Sequence, residues 1–242
     1  MKIIDAHHHF WDPQANYHPW LRDEPLIPFR YGDYSALRRR FMLEEYDAAA
    51  TSWEVIATVT MEGEWDPADP TGEALWMQRL ADESGRPAAH VAQAWLERED
   101  LDAVLRCYDT LPIVRSVRHK PRANPAPGGP PGGMGDKGFR EGFRRLGEHG
   151  LHFDLQTPWW HLHEAMELAA LAPETGIVLN HAGLPADRSP EGLAGWRAAM
   201  REFATLPQSY VKISGIGLPG RSWRVEDNRE IIRFCIDTFG PE

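Results

Sequence analysis

Short apolar, β-branched runs alternate with longer amphipathic stretches along this chain. Ile3–Ile4 open a run that reaches the triplet His7-His8-His9, and six more follow: Val55–Met61, Ala88–Leu96, Val114–His119, Leu151–Gln156, Ile177–Asn180 and Tyr210–Ser214. Between them lie stretches with apolar residues at helical spacing: Leu43–Ser52, Gly72–Ser84, Leu101–Thr110, Lys137–His149, His161–Ala172, Pro190–Leu206 and Val225–Phe239. The short runs read as strands and the longer stretches as helices. Their regular alternation predicts βα units and a parallel α/β sheet. Seven such units in 242 residues fit a (β/α)8 barrel better than an open doubly wound sheet. No Gly-x-Gly-x-x-Gly or P-loop pattern follows any strand to favour a nucleotide-binding fold. A closed barrel needs an eighth strand that pairs with both the first and the seventh. The eighth is missing from the pattern, which ends at Phe239-Gly240-Pro241-Glu242. The expectation is a single barrel domain over residues 1–242, incomplete at its C-terminus.

The same periodicity sorts the polar residues. Side chains two apart on a strand share a face, so His7 and His9 project together from the C-terminal end of the first strand, while His8 turns toward the helices. Barrels of this kind carry their sites at that end, and two imidazoles there can chelate a divalent metal. His181, after Ile177-Val178-Leu179-Asn180, ends the sixth strand at the same level and completes a three-histidine set. Arg118 and His119 end the fourth strand, and as neighbours only one of them can face inward. An inward arginine would clamp a substrate carboxylate or stabilise an oxyanion; Arg115 and Lys120 leave a solvated basic run as the alternative. Asp154 and Gln156 end the fifth strand facing one way, suited to substrate hydroxyls, to orienting a histidine, or to a structural hydrogen bond. Trp159 follows and could wall a pocket. Glu62 and Glu64 follow the second strand, with one of them expected to be solvated loop charge. Lys212 falls inside the seventh strand, where it needs a partner or a route to solvent. His161 and His163, i and i+2 at a helix start, do not face one another and read as surface or capping residues.

Two stretches lack periodicity. Asp12–Asp33 is rich in Pro, aromatic and charged residues, and Asn124–Gly138 in Gly and Pro. The second follows the fourth strand, where substrate lids sit, and is expected to be mobile.

Composition narrows the class. The chain is 42% hydrophobic with a net charge of −10. An acidic chain repels a phosphate backbone, so nucleic acid is not an expected partner. Two cysteines are too few for a disulfide framework, and a cytoplasmic location is expected. No apolar run approaches a membrane span. The expected partner is a small-molecule substrate, and a homo-oligomer stays open.

At this point the chain resembles a known group. Ile3-Ile4-Asp5-Ala6-His7-His8-His9-Phe10-Trp11-Asp12-Pro13, Leu179-Asn180-His181-Ala182-Gly183-Leu184-Pro185 and Val211-Lys212-Ile213-Ser214-Gly215-Ile216-Gly217 are similar to segments of the amidohydrolase-related, metal-dependent hydrolases of the TIM-barrel fold. That family includes sugar lactonases and 2-pyrone-4,6-dicarboxylate lactonase. The resemblance implies an amidohydrolase-type barrel and hydrolysis of a lactone or related ester of a sugar acid or small carboxylate. It implies His7, His9 and His181 as ligands of a divalent metal, zinc, or as direct polarisers of the carbonyl where relatives work without metal. It also implies an eighth-strand aspartate as general base. Catalytic residues expected are thus His7, His9, His181 and Arg118; His119, Asp154, Gln156, Trp159 and Glu62 are expected to bind substrate. A non-oxidative decarboxylase on the same barrel and a catalytically inactive barrel or fragment are the alternatives.

Overall fold

Strands and helices alternate as the hydrophobic pattern predicts. The computed structural model describes residues 1–29 and 32–240; Arg30, Tyr31, Pro241 and Glu242 lie outside the described residues. With them go two positions of the Asp12–Asp33 loop and the end of the chain, where a turn toward an eighth strand is expected. The strands are β1 (Lys2–His8), β2 (Glu54–Met61), β3 (Ala89–Gln93), β4 (Val114–His119), β5 (His152–Leu155), β6 (Ile177–Leu179) and β7 (Ser209–Val211). The helices are α1 (Pro19–Arg22), α2 (Leu43–Ala49), α3 (Gly72–Ser84), α4 (Leu101–Tyr108), α5 (Lys137–Glu148), α6 (Leu162–Leu171), α7 (Pro190–Phe203) and α8 (Val225–Phe239). Among the described residues the sheet has seven strands in the order β1-β2-β3-β4-β5-β6-β7. β1 with β2, β2 with β3, β5 with β6 and β6 with β7 pair in parallel. Consecutive strands joined through helices give this order directly.

Most elements are a few residues shorter than the sequence predicts, and for α7 and β7 a local reason is visible. Pro207 cannot continue a helix, so α7 stops at Phe203 rather than Leu206. β7 stops at Val211 because the backbone of Lys212 leaves the ladder there: its N–H still donates to Leu179 O at the end of β6, but its carbonyl accepts from Ala182 N in the turn that follows. Lys212 therefore lies just past the strand, not inside it.

The chain forms two compact units. The first is Met1–Ala94 with Ala103–Val117, and the second is Trp95–Asp102 with Arg118–Glu242. In the first, Phe10, Tyr46, Met61, Met77, Val91, Leu105 and Tyr108 are buried. Met61 and Val91 sit opposite one another in the β2–β3 register. In the second, Phe139 and Phe143 of α5 pack edge-on against Phe153 of β5, and Trp196 of α7 packs on Phe234 of α8 at 4.8 Å. At the ends of the strand order, Ile4 of β1 is 60% exposed and Tyr210 of β7 is 44% exposed.

His8 is turned into the first unit, as alternation requires. Its ring lies 4.6 Å from both Phe10 and Tyr46 of α2. Burial lowers its pKa from 6.5 to about 4, with Asp5 opposing that shift. The unfolded chain takes up this proton first as pH falls, so the contribution is complete above pH 6.5 and is lost toward pH 4. A pKa moved this far is worth roughly 3 kcal/mol. The urea midpoint should fall steeply between pH 6.5 and 4, and His8→Phe should flatten that decline.

Candidate active site

In the first unit, β1 brings His7 and His9 to its C-terminal end, their rings edge-on with centroids 5.4 Å apart. His9 Nδ1 faces the carbonyl oxygens of Met61 and Glu62, at 3.2 and 3.1 Å. Carbonyls only accept, so Nδ1 carries the proton and Nε2 keeps the lone pair. Glu62 and Glu64 separate as only one carboxylate was expected to be solvated. Glu62 is buried and its Oε2 accepts from Glu64 N at 2.7 Å. Glu64 is exposed and occupies a left-handed conformation (φ 58°) that closes this turn.

The Asp12–Asp33 loop contributes a residue that periodicity did not reveal. His18, fully buried, places Nδ1 3.1 Å from Gly63 O; Trp20 Nε1 donates to the same oxygen at 2.7 Å, and Gly63 N donates to Glu73 Oε1 at 2.8 Å. Burial lowers the pKa of His18 and keeps its ring neutral. The loop is thus fastened to the end of β2 beside Glu62. A single histidine in an aperiodic segment carries no spacing that could have announced this; His18-Pro19-Trp20 offered composition alone.

In the second unit, Arg118 and His119 take opposite faces of β4. His119 packs 5.1 Å from Phe139 of α5, and its Nδ1 accepts from Leu96 N at 3.1 Å. His119 thus lies on the side of β4 that meets α5, and Arg118 is buried. Asp154 is 1% exposed and ion-paired with Lys212 Nζ at 2.8 Å, while Asn180 Nδ2 donates to the same carboxylate oxygen at 2.8 Å. Of the expected uses of Asp154, these contacts display the structural hydrogen bond. Gln156 is half-buried beyond the end of β5. The Trp159 ring lies against Gly195 of α7, where a Cβ would come within 2.6 Å of it. With Trp160, Met166, Ala198 and Pro127 it lines a cavity of about 320 Å³.

His181 has the most unusual backbone. His181, Ala182, Gly183 and Leu184 are all left-handed, with φ of 56°, 51°, 66° and 56°. Each non-glycine residue in that region costs roughly 1–2 kcal/mol, and such strain gathers at functional sites. The turn holds His181 7% exposed with Nδ1 2.9 Å from Ser214 Oγ.

The Gly/Pro-rich segment departs from expectation. Pro125–Pro131 is exposed, but Gly132–Met134 is buried. His161, read from sequence as a surface or capping residue, stands at the N-cap of α6 and is 2% exposed, while His163 is exposed. Glu164 Oε1 accepts from Gly132 N at 2.7 Å and lies 2.6 Å from His161 Nδ1, and His161 Nε2 accepts from Asn124 N at 3.2 Å. Helical i, i+3 spacing joins His161 to Glu164, a pairing that attention to His161 and His163 missed. Glu164→Ala strands the Gly132 amide, at a cost of about 1–3 kcal/mol. Hydrogen exchange at Gly132 and Met134 should then speed up about 10–100-fold, while α7 amides keep their protection.

No three His, Cys, Asp or Glu side chains gather as a metal cluster among the described residues. The histidines nevertheless fit a metal in their donor chemistry. His9 and His181 each engage Nδ1 with a protein oxygen, which is how metal-ligating imidazoles are held with Nε2 as the coordinating atom. Among the described residues no helix is long and apolar enough to cross a membrane.

Comparison with known proteins places this geometry in a family. The sequence model described as Amidohydrolase matches residues 4–242. An uncharacterized protein, y4mH, of Sinorhizobium fredii (strain NBRC 101917 / NGR234) is 34% identical over 99% of this chain and 82% of its own length. An L-fucono-1,5-lactonase of Burkholderia multivorans (strain ATCC 17616 / 249) is 26% identical over 99% of this chain and 78% of its own. A crystal structure of an amidohydrolase from Burkholderia multivorans with bound HEPES superposes with a TM-score of 0.77 at 26% identity, covering 98% of this chain and 80% of that one. A second crystal form of that amidohydrolase, with bound zinc, gives 0.75 over the same shares.

Proposed function

This chain belongs to the amidohydrolase family, and we propose from that premise that it is a hydrolase opening the lactone of a sugar acid or a related small carboxylate ester. One observation carries the reading: the paired histidines at the end of β1, with His9 locked by the Met61 and Glu62 carbonyls into the tautomer that presents Nε2. The lactone class follows from the similarity to the L-fucono-1,5-lactonase, and a closed (β/α)8 barrel is the fold in which we place the site.

His7 and His9 would hold a divalent ion, zinc by the nature of the ligands and by analogy with the zinc-bound neighbour. His181 joins them on the strength of the sequence pattern. The ion when bound supplies Lewis acidity toward the lactone carbonyl and toward water. Water oxygen adds to the carbonyl carbon, the ring C–O bond breaks, and the alkoxide leaves with a proton. The buried guanidinium of Arg118 stabilises the oxygen anion that forms. The base that takes the proton from water is, by the resemblance, an aspartate on an eighth strand. Arg118→Met should lower kcat about 100-fold or more with a smaller change in KM, read by steady-state kinetics.

The acid product releases one proton per turnover at neutral pH. A pH-stat assay with six-membered sugar-acid lactones, with and without a chelator, tests the proposal. Proton release that chelation removes and zinc restores is expected. Absence of lactone turnover with release of CO2 from aromatic carboxylic acids would overturn it.

A further inference from the structure

We propose that Ser214 is a positioning residue for His181, fixing its ring in the Nδ1–H tautomer so that Nε2 is the nitrogen that works. The backbone around His181 is fastened on every side. Lys212 N donates to Leu179 O at 2.8 Å, Ala182 N to Lys212 O at 3.0 Å, Leu184 N to His181 O at 2.9 Å and Trp196 Nε1 to Ala182 O at 2.7 Å. Asp154 ties the preceding residue, Asn180, to Lys212 through one carboxylate oxygen. A left-handed turn so held fixes where the Cβ of His181 lies, while the direction of the ring and its proton depend on what its nitrogens meet. Ser214 Oγ lies 2.9 Å from Nδ1.

The hydroxyl can donate or accept, so the tautomer depends on what else is asked of the ring. His9 answers by analogy within this molecule. Its Nδ1 meets two carbonyl oxygens, which can only accept, and must therefore be protonated. A histidine that joins it in the same chemistry needs the same tautomer, with Ser214 Oγ as acceptor. Ser214 and Lys212 stand two residues apart just beyond β7, so one short stretch anchors the turn through Lys212 and the ring through Ser214. That His181 takes part in the chemistry, and with it the choice of tautomer, rests on the function proposed above.

The test is long-range ¹H–¹⁵N correlation on the ¹⁵N-histidine-labelled protein at one neutral pH, with His181→Asn identifying the resonances of the ring. In the wild type, Nδ1 should be protonated and Nε2 should carry the lone pair. Ser214→Ala should shift the ring toward the Nε2–H form, and Ser214→Thr, which keeps the hydroxyl, should restore it. On a lactone that the wild type hydrolyses, Ser214→Ala should lower kcat about 10–100-fold with little change in KM, and Ser214→Thr should recover most of the rate. Unchanged melting temperatures separate this from unfolding. A wild-type ring protonated on Nε2, or a Ser214→Ala ring that keeps the wild-type tautomer, overturns the proposal. If the wild type hydrolyses no lactone, the functional reading fails and the tautomer measurement still decides this one.

Discussion

Replacing Lys212 with methionine should destabilise the second unit by about 3–5 kcal/mol. The Lys212 side chain is 12% exposed and that of Asp154 is 2% exposed, with 2.8 Å between Nζ and Oδ1. Removing the ammonium strands a carboxylate charge where water cannot replace its partner, and this desolvation dominates the loss. The ion pair itself is worth far less, because bringing both charges out of water nearly cancels their attraction. The double variant Asp154→Leu/Lys212→Met should therefore recover much of the stability lost by the single one. Urea unfolding reads this as a lowered midpoint at constant slope for Lys212→Met and a partial return for the double variant. Equal losses in both would mean that the pair contributes through specific geometry. The double variant also removes the Asn180–Asp154 bond next to His181, so its activity should stay low where its stability returns.

The sequence exposes much of this fold because hydrophobic period is a local property. β4, α3 and α8 begin and end where the pattern places them, and the alternation at His7-His8-His9 correctly sends His8 into the packing against Tyr46. What the pattern does not carry is long-range contact. Nothing near Lys212 in sequence reports that its backbone will serve the turn after β6, which is why β7 ends at Val211. Nothing in the aromatic Asp12–Asp33 stretch reports that His18 will reach Gly63, forty-five residues away. The Gly/Pro segment was expected to be mobile on composition, and nothing in that composition reports that Glu164 of α6 holds Gly132. For the site itself, residue types and strand ends were legible for His7, His9, His181 and Arg118. Which side of β4 His119 takes, and which nitrogen of His9 carries its proton, became visible only with the neighbours in place.

The largest effect on activity is expected at the histidines. His7 and His9 are presented together by one strand, and His181 is held in a strained turn that only surrounding bonds sustain. In the proposed mechanism each imidazole supplies a lone pair that alanine cannot replace, and groups acting as a unit lose nearly everything when one is removed. None of the three is a large apolar core residue, so truncation should leave the packing largely as it is. The account therefore turns on one comparison: proton release from a six-membered sugar-acid lactone by the wild type, His7→Ala and His181→Ala, each with its melting curve. Both variants are predicted to lose turnover by about 1,000-fold or more while melting within a few degrees of the wild type. Wild-type turnover in both would contradict the assignment of these histidines and, with it, the hydrolytic site described above.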